Sequence, residues 1–335
     1  MMFFRFFFYI FCRKIIFLRI NIVKQNISEE SMEQKKYRPS PTALLNPCSD
    51  SVFKRLFTDN SEEGYKVLQN FLEAVLQKKV SNIILQPNEI PIDGIRDKKS
   101  RLDLNCKIDG NEIVNIEMQN YNSNEMFEKR VEVYCGKLIS HNVTESLPWT
   151  KVPKVFQISV LNFIREKDLP REIFYYSFRT FDNCVLEQRQ NIIFIELPKV
   201  NKILEDIKKG TITVEKLTAT QKWCIFMLYG ADLNYQSLIK QIALTEEGIM
   251  CAFTILDKIS EDEIAWKQQF DEFMIEKDRM TLIEMATEKG IQQGIQQGVQ
   301  QRNSEIAKGL LADNVPIDIV SKHTGISVEE LEKLK

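Results

Sequence analysis

The spacing of apolar and polar residues predicts a chain that begins with helices and continues into strands. Apolar residues recur every three to four positions across 50–79, and Ser61 marks a helix start within that stretch. Alternating segments and buried β-branched runs follow, which are typical of strands. Strands are predicted at 101–108, 112–121, 154–163, 173–181 and 191–197, with a long helix at 124–142. These elements predict an α/β core of about 150 residues.

After residue 200 the pattern becomes helical. Helices are predicted at 203–209, 219–229 and 249–256, and an amphipathic stretch at 261–279 leads into a tandem Gly-(Ile/Val)-Gln-Gln repeat with glycines at 290, 294 and 298. Each glycine costs a helix about 1 kcal/mol against alanine. The repeat is therefore interpreted as a flexible arm or a partner-dependent coil, through which copies of the chain could form a homo-oligomer.

The segments divide the chain into five parts. The first is 1–31, a phenylalanine-rich stretch that is too short to span a bilayer and lacks a small-residue cleavage site. Met32 is interpreted as the real start, which makes 1–31 a mis-called or disordered extension, and no stable membrane association is expected. The other parts are a core at 44–200, a helical subdomain at 201–260, an arm at 261–303 and a helical tail at 304–335.

Charge and cysteine content narrow the function classes. The net charge is −2, and removing the five basic and two acidic residues of the extension takes it to −5. This balance counts mildly against nucleic-acid binding, but a nuclease can still be acidic overall because of its catalytic carboxylates, so the net charge decides no class by itself. Seven scattered cysteines without a C-x-x-C pair predict reduced thiols in a cytoplasmic protein. With two histidines in the chain, a metal would be held by carboxylates.

The candidate chemistry lies on the hairpin formed by the first two predicted strands. A two-residue turn would put Asp103 opposite Ile116, whereas a three-residue loop puts Asp103 opposite Glu117. The three-residue loop is preferred because the polar faces and the apolar faces of the strands then coincide. In that register Asn105 also faces Asn115, and Arg101 faces Gln119.

Two opposed carboxylates suit Mg²⁺, which prefers oxygen ligands and keeps waters for a substrate phosphate. A single acidic pair on a hairpin is more often a solvated surface feature, so the spacing by itself is weak support.

A wider set of motifs strengthens the interpretation. In chain order they are Asp50-Ser-Val-Phe-Lys54-Arg-Leu-Phe57, Arg101-Leu-Asp103, Asn115-Ile-Glu117-Met-Gln119, Arg130 with Tyr134, Glu196-Leu-Pro-Lys199, the repeats and the ending Thr324-Gly-Ile-Ser-Val-Glu-Glu. Together they resemble the PD-(D/E)XK nuclease family transposases, also called recombination-promoting nucleases, over roughly 46–335. The resemblance implies a restriction-endonuclease-like core, with a central mixed sheet flanked by helices, plus a C-terminal helical region.

The resemblance also implies an activity and a site. The activity is metal-dependent endonucleolytic cleavage of double-stranded DNA, associated with recombination or mobile elements, with Mg²⁺ as the cofactor and Mn²⁺ as an alternative. The implied metal ligands are Asp103, Glu117 and the carbonyl of Met118. Gln119 stands where many related nucleases have lysine, and its amide can orient water but carries no charge.

Five other residues complete the predicted site. Asp50 is a candidate third carboxylate, and Lys54, Arg130 and Tyr134 are candidates for contacting the phosphate or bracing the site. For these four, a place on the helix surface or at the core edge is an equally good interpretation. Arg101 belongs to a basic cluster with Arg96, Lys98 and Lys99 that could follow a DNA backbone.

Two other functions remain open. One is a catalytically degenerate DNA-binding or assembly protein that keeps the fold while Gln119 and the acidic surface remove activity. The other is a regulatory partner that acts through the repeat arm and the tail.

Overall fold

The alternating segments form a mixed sheet at the centre of the molecule. The computed structural model describes residues 37–90, 100–121, 125–186 and 189–333, without the side chains of residues 90, 100, 101, 125 and 126. The predicted extension at 1–31 and the basic residues Arg96, Lys98 and Lys99 lie outside the described residues. Residues 38–335 form one unit, to which the following description applies.

The strands lie close to the predicted positions. They are β1 (Ile84–Gln86), β2 (Glu89–Ile90), β3 (Ser100–Arg101), β4 (Leu104–Ile108), β5 (Glu112–Gln119), β6 (Lys154–Leu161), β7 (Ile173–Tyr176) and β8 (Gln190–Glu196). Six of them form one sheet in the order β1-β4-β5-β6-β8-β7, and β2 pairs with β3 separately. β5, β6 and β8 are parallel, and the outer pairs are antiparallel. The predicted mixed sheet is therefore confirmed.

The helix between β5 and β6, α3 (Glu125–Ser140), covers one face of the sheet. A crossover helix is the usual link between parallel neighbours, and α3 connects β5 to β6. The two helices that precede the sheet are α1 (Asp50–Phe57) and α2 (Glu62–Leu76). Buried residues of α3 pack with buried residues on and beside the sheet in two apolar clusters. One consists of Leu102, Ile113, Cys135, Leu138 and Val155, and the other of Phe127, Val131, Leu161, Phe174 and Phe194.

Helix α2 lies against the other face. Its start at Ser61 is as predicted, because the Ser61 hydroxyl accepts a hydrogen bond from the Gly64 N–H. On the sheet side, the Tyr175 hydroxyl of β7 donates to the Val75 carbonyl of α2 at 2.7 Å. The sheet is therefore covered by helices on both faces, which explains why its parallel strands are rich in apolar residues.

Four helices follow the sheet, and they share a core with α1 and α2. They are α4 (Val200–Lys208), α5 (Ala219–Tyr229), α6 (Gln236–Thr245) and α7 (Glu247–Ser260). The ring of Trp223 on α5 contacts Phe57 at 5.8 Å and Phe71 at 5.4 Å between centroids, and its indole N–H donates to Asn70. The predicted segment 201–260 is thus packed directly on the first two helices.

A single long helix, α8 (Glu263–Ala312), contains the repeats. The sequence predicts a weak helix here, and the structure shows an unbroken helix of 50 residues through all three repeat glycines. Its first turns are tied to α1 by an ion pair between Asp262 and Arg55 at 2.8 Å and by Glu272, which accepts the Ser51 N–H at 2.9 Å. Further along, residues 281–302 are all exposed. The predicted arm boundary at 303 falls inside this helix.

The tail folds back on the end of α8. Helices α9 (Ile317–Thr324) and α10 (Val328–Glu332) enclose a small apolar cluster of Ala307, Val320 and Leu331. Gly325 ends α9 with φ of 70°, and the Ser327 hydroxyl caps α10 by accepting the Glu330 N–H. Within the described ranges, no helix is both long enough and apolar enough to cross a bilayer.

The approach of α7 to α2 gives a test of the packing. A Cβ at Gly248 would lie 2.2 Å from the Asn70 Cβ, so Gly248→Ala must push the two helices apart. We expect a loss of about 1–3 kcal/mol in the free energy of unfolding, measured by denaturant titration. Gly136→Ala on α3 is the matched control, since nothing lies within 4 Å of its Cβ, and it should gain up to about 1 kcal/mol. Equal stability of Gly248→Ala and the unaltered chain would contradict this packing.

Candidate active site

The β4–β5 hairpin has the predicted register. Ile108 pairs with Glu112 and Asn105 with Asn115, which requires the three-residue loop at 109–111. The loop is stabilised by two left-handed residues, Asp109 with φ of 49° and Gly110 with φ of 86°. The prediction that Asn105 faces Asn115 is therefore confirmed.

Asp103 lies in a bend immediately before β4. Its Oδ2 accepts the Met118 N–H at 3.0 Å, and its Oδ1 lies 3.1 Å from the Lys54 ammonium. The Asn88 amide holds its backbone by donating to the Asp103 carbonyl at 3.0 Å. Burial raises the pKa of Asp103 above its ordinary value, and the charge of Lys54 and the Met118 N–H offset that effect only in part. The side chain is thus directed at the end of β5 by specific contacts.

Glu117 is the buried acid of the site, with 3% of its surface exposed. The Asn115 amide donates to its Oε1 at 3.2 Å, and the Gln119 amide lies 3.4 Å from its Oε2. Burial and the negative charge of Asp103 raise the pKa of Glu117 to about 7. The charge of Asp103 therefore disfavours ionisation of Glu117, which indicates that the two carboxylates lie near each other.

Helix α1 contributes the cation of this region. Lys54 forms ion pairs with Asp50 at 2.7 Å and with Asp103 at 3.1 Å. Burial alone would lower the pKa of Lys54, but these two acids outweigh burial and raise it. Lys54 is therefore a charged group that braces Asp103, whereas Asp50 contacts Lys54 from the solvent side.

Helix α3 contributes two more of the predicted residues. The Arg130 guanidinium donates to the side-chain oxygen Oε1 of Gln119 at 2.8 Å, and its charge also acts on Glu117. Burial and the charge of Glu117 raise the pKa of the Tyr134 hydroxyl. Both side chains thus lie beside the end of β5, although they are 13 and 17 residues beyond Glu117 in the sequence.

Two of the predicted pairings are absent from the β4–β5 ladder. Its last pair is Leu104 with Ile116, so Asp103 does not pair with Glu117 along the strands and contacts β5 through its side chain instead. Arg101 does not continue the β4–β5 ladder opposite Gln119, because its backbone pairs with Glu89 in the separate two-stranded sheet. The chain leaves the ladder at Asp103, where the Asn88 amide and the Met118 N–H redirect it. The side chain of Arg101 lies outside the described part, so its predicted role at the substrate stays a prediction.

The donor set fits a hard divalent cation. Among the residues with described side chains, no three histidine, cysteine, aspartate or glutamate residues come close enough together to hold a metal ion. Asp50 is accordingly not brought together with Asp103 and Glu117 as a third ligand. Two carboxylates still suit Mg²⁺, since this ion is often bound by one or two carboxylates and completes its shell with waters and substrate oxygens.

Two residues of the site, Asn88 and Gln157, were missed by the sequence analysis, and Asn115 was named there without a role. Asn88 holds the backbone of Asp103, and Asn115 forms hydrogen bonds to both Glu117 and Gln157. A usable signal existed for Gln157, which is a polar residue inside the apolar run 154–163 of a buried strand. No such signal marks Asn88, because its hydrogen bond joins it to Asp103, which lies 15 residues later in the sequence.

A cavity of about 320 Å³ lies elsewhere, between α3 and the strands β7 and β8. Its lining includes Arg165, Glu128 and Tyr176, and Arg165 is already bonded to both of the others. None of the predicted site residues lines it, so this cavity is separate from the candidate site at the end of β5.

A mixed sheet with a crossover helix and two acids at the end of its central hairpin defines an α/β nuclease-type core. A scan against protein-family profiles matches residues 47–286 to the PD-(D/E)XK nuclease family transposases. Because that match covers most of the chain, the protein belongs to this family. The match includes every described site residue and ends before the repeats. Searches of curated proteins and of solved structures give no match.

The raised pKa of Glu117 predicts how stability depends on pH without metal. Between about pH 4 and pH 7 the unfolded chain releases this proton while the folded chain retains it, so stability falls as pH rises. Glu117→Gln cannot ionise and avoids that loss. We expect the variant to be more stable than the unaltered chain by roughly 3 kcal/mol at pH 8 and equally stable at pH 4, by denaturant unfolding in EDTA.

Glu145→Gln is the control for this measurement, because Glu145 is exposed in the loop after α3. It should change stability at neither pH. A Glu117→Gln variant that is less stable than the unaltered chain at pH 8 would show that the ionised carboxylate is favoured by its surroundings.

Proposed function

We propose that the protein is a metal-dependent DNA endonuclease that hydrolyses phosphodiester bonds in double-stranded DNA, in association with recombination or mobile elements. The observation that carries the proposal is the joining of Asp103 and Glu117 at one end of β5, flanked by Lys54 and Arg130. The charge of Asp103 raises the pKa of Glu117, and the charge of Lys54 acts in the opposite direction on both acids. Mg²⁺ is the proposed ion, and Mn²⁺ is an alternative with the same ligand preference.

Asp103, Glu117 and the Met118 carbonyl are the proposed ligands. In an extended strand, the N–H and C=O of one residue point to the same side. Since the Met118 N–H points at Asp103, the Met118 carbonyl is directed toward that side of β5 as well. A bound divalent ion would activate water and neutralise charge that develops on the scissile phosphate.

The other predicted residues would act on the substrate and the water. Lys54 and Arg130 supply positive charge beside the two acids, where a phosphate would otherwise be repelled. Gln119 is held by Arg130 and can orient a water through its amide, as a positioning group without charge of its own. The Tyr134 hydroxyl lies near enough to Glu117 to be affected by its charge, and Asp50 keeps Lys54 in place through their ion pair. Arg101 is proposed to contact the DNA backbone.

The alternative is a degenerate protein that binds DNA without cleaving it. The neutral Gln119 favours that alternative, since a lysine at this place would carry a charge. Against it stands Arg130, whose guanidinium donates to Gln119 and brings a charge to the same position. The third hypothesis, a regulatory partner without DNA affinity, is supported only by the exposed arm.

Cleavage of supercoiled plasmid by the chain starting at Met32 tests the proposal. We expect Mg²⁺-dependent nicking or linearisation that EDTA prevents, because the two acids are the proposed metal ligands. Asp103→Ala and Glu117→Ala should each reduce the rate below detection. Glu145→Ala is the matched control, since it removes an exposed carboxylate away from the site, and it should cleave at the unaltered rate.

The other outcomes select between the hypotheses. Cleavage that survives both substitutions would place the activity elsewhere. DNA binding without cleavage would select the degenerate protein, and self-association without DNA affinity would select the regulatory partner.

The exposed part of α8 is the proposed surface for a homo-oligomer. Ile291, Ile295 and Val299 recur every four residues and are each more than half exposed. Two antiparallel copies that cross at Ile295 would also place Glu288 of one against Arg302 of the other, which gives charge complementarity on both sides of the crossing. A second copy of this chain is therefore the proposed occupant.

Sedimentation velocity of the full chain tests this surface. We expect a dimer that Ile291→Glu with Ile295→Glu converts to a monomer, because four charges would then meet at the crossing. Gln293→Glu with Gln297→Glu adds the same charge to the opposite side of the helix and should leave the dimer intact. A monomer at all concentrations would reject the proposal.

The cytoplasm is the proposed location. The six described cysteines are unpaired, and four of them are buried. Unpaired thiols of this kind are usual in a reducing compartment.

A further inference from the structure

A row of polar side chains crosses the sheet beneath α3. Strand pairing aligns Asn105, Asn115 and Gln157 at one level and Glu117 with Ser159 at the next. On the same face, apolar residues border the row at both ends, Ile113 with Val155 and then Leu161. Parallel strands that are buried on both faces normally carry apolar residues at such positions. The row is therefore a cluster of polar side chains within an otherwise apolar core.

The centre of the row is fully buried. Asn115, Gln157 and Ser159 each have 0% of their surface exposed. Burying an amide in an apolar core costs about 1–3 kcal/mol unless its hydrogen bonds are satisfied. These residues are only partly satisfied, because Asn115 Oδ1, Gln157 Nε2 and Ser159 Oγ have no hydrogen-bond partner among the described residues. The arrangement is thus unfavourable for stability, and a role in the adjoining site explains it better than packing does.

The hydrogen bonds of the row lead to Glu117. The Asn115 amide nitrogen donates to Gln157 Oε1 at 2.7 Å and to Glu117 Oε1 at 3.2 Å. Gln157 therefore fixes the orientation of the Asn115 amide, and Asn115 fixes one oxygen of the Glu117 carboxylate. The second oxygen, Oε2, has only the longer contact of 3.4 Å to Gln119.

We propose that Asn115, oriented by Gln157, is a positioning residue that holds Glu117 in the rotamer in which it binds the metal. The inference rests on the proposed metal site and adds two residues behind it. Hydrogen bonds from a second layer of residues orient metal-binding carboxylates, and their loss typically lowers metal affinity by about 10–100-fold. Ordered water would suit the remaining buried donor and acceptors of the row, because a water molecule both donates and accepts hydrogen bonds.

Metal binding by the full chain tests the proposal without measuring activity. Mn²⁺ affinity would be determined by isothermal titration calorimetry, and the free energy of unfolding would be determined separately in EDTA. Asn115→Leu removes the donor at similar volume and should weaken Mn²⁺ binding about tenfold. Gln157→Met leaves Asn115 in place but frees its amide, so it should weaken binding by a smaller factor. The double variant should bind no more weakly than Asn115→Leu, since both residues act through one contact.

Stability separates positioning from a structural role. Asn115→Leu replaces a partly satisfied amide by an apolar group, so stability in EDTA should be unchanged or higher while Mn²⁺ affinity falls. Ser159→Ala is the matched control, because it removes a buried polar atom from the same row and leaves the Asn115–Glu117 bond intact. It should keep Mn²⁺ affinity within about twofold, well below the effect expected for loss of an orienting bond.

Three outcomes would overturn the inference. Unchanged Mn²⁺ affinity in Asn115→Leu, with binding lost in Glu117→Ala, would reject the positioning role and leave the metal site standing. Parallel losses of affinity and stability would make Asn115 a structural residue. If the unaltered chain binds no Mn²⁺, the metal site fails and the inference fails with it.

Discussion

The pairing of β4 with β5 determines where every acid of the site lies. Since side chains alternate along a strand, a shift of one residue would move Glu117 to the opposite face of the sheet. The three-residue loop at Asp109 prevents that shift, and the Met118 N–H then donates to Asp103 immediately before β4 begins. The parallel pairing of β5 with β6 continues the same register across the sheet and places Ser159 beside Glu117.

The site is a balance of charges from three separate elements. The hairpin supplies two acids, α1 supplies Lys54 and α3 supplies Arg130. The two cations are held differently, because Lys54 is paired directly with carboxylates whereas Arg130 is held through the neutral Gln119. The base of α8 supports this balance, since Glu272 accepts the Ser51 N–H at the start of the helix that carries Lys54.

The fold and the acidic pair could be predicted because local patterns determine them. The mixed sheet follows from runs of strand residues, and the hairpin register follows from matching the faces around Gly110. The rest depends on contacts between distant segments, which a single sequence does not contain. Lys54 meets Asp103 only because α1 packs at the end of the hairpin, and Arg101 leaves the ladder because Glu89 pairs with it. The continuation of the polar row into β6 was missed because Gln157 was interpreted as one residue of an apolar strand.

The unbroken helix α8 passes the candidate site at Glu272 and continues far beyond it. Arg279 still contacts the ring of Tyr121 at 5.7 Å, and the next 20 residues extend into solvent. Arg279 and Ile295 are about 24 Å apart along such a helix, at 1.5 Å per residue. In the proposed dimer, two chains crossing at Ile295 would hold the Arg279 ends of their cores roughly 48 Å apart, about 14 base pairs of DNA. If the chain forms the proposed dimer and cleaves DNA as proposed, each added Gly-Ile-Gln-Gln unit would move the centre of the repeat by two residues in each chain and lengthen the distance between the two sites by about 6 Å, almost two base pairs.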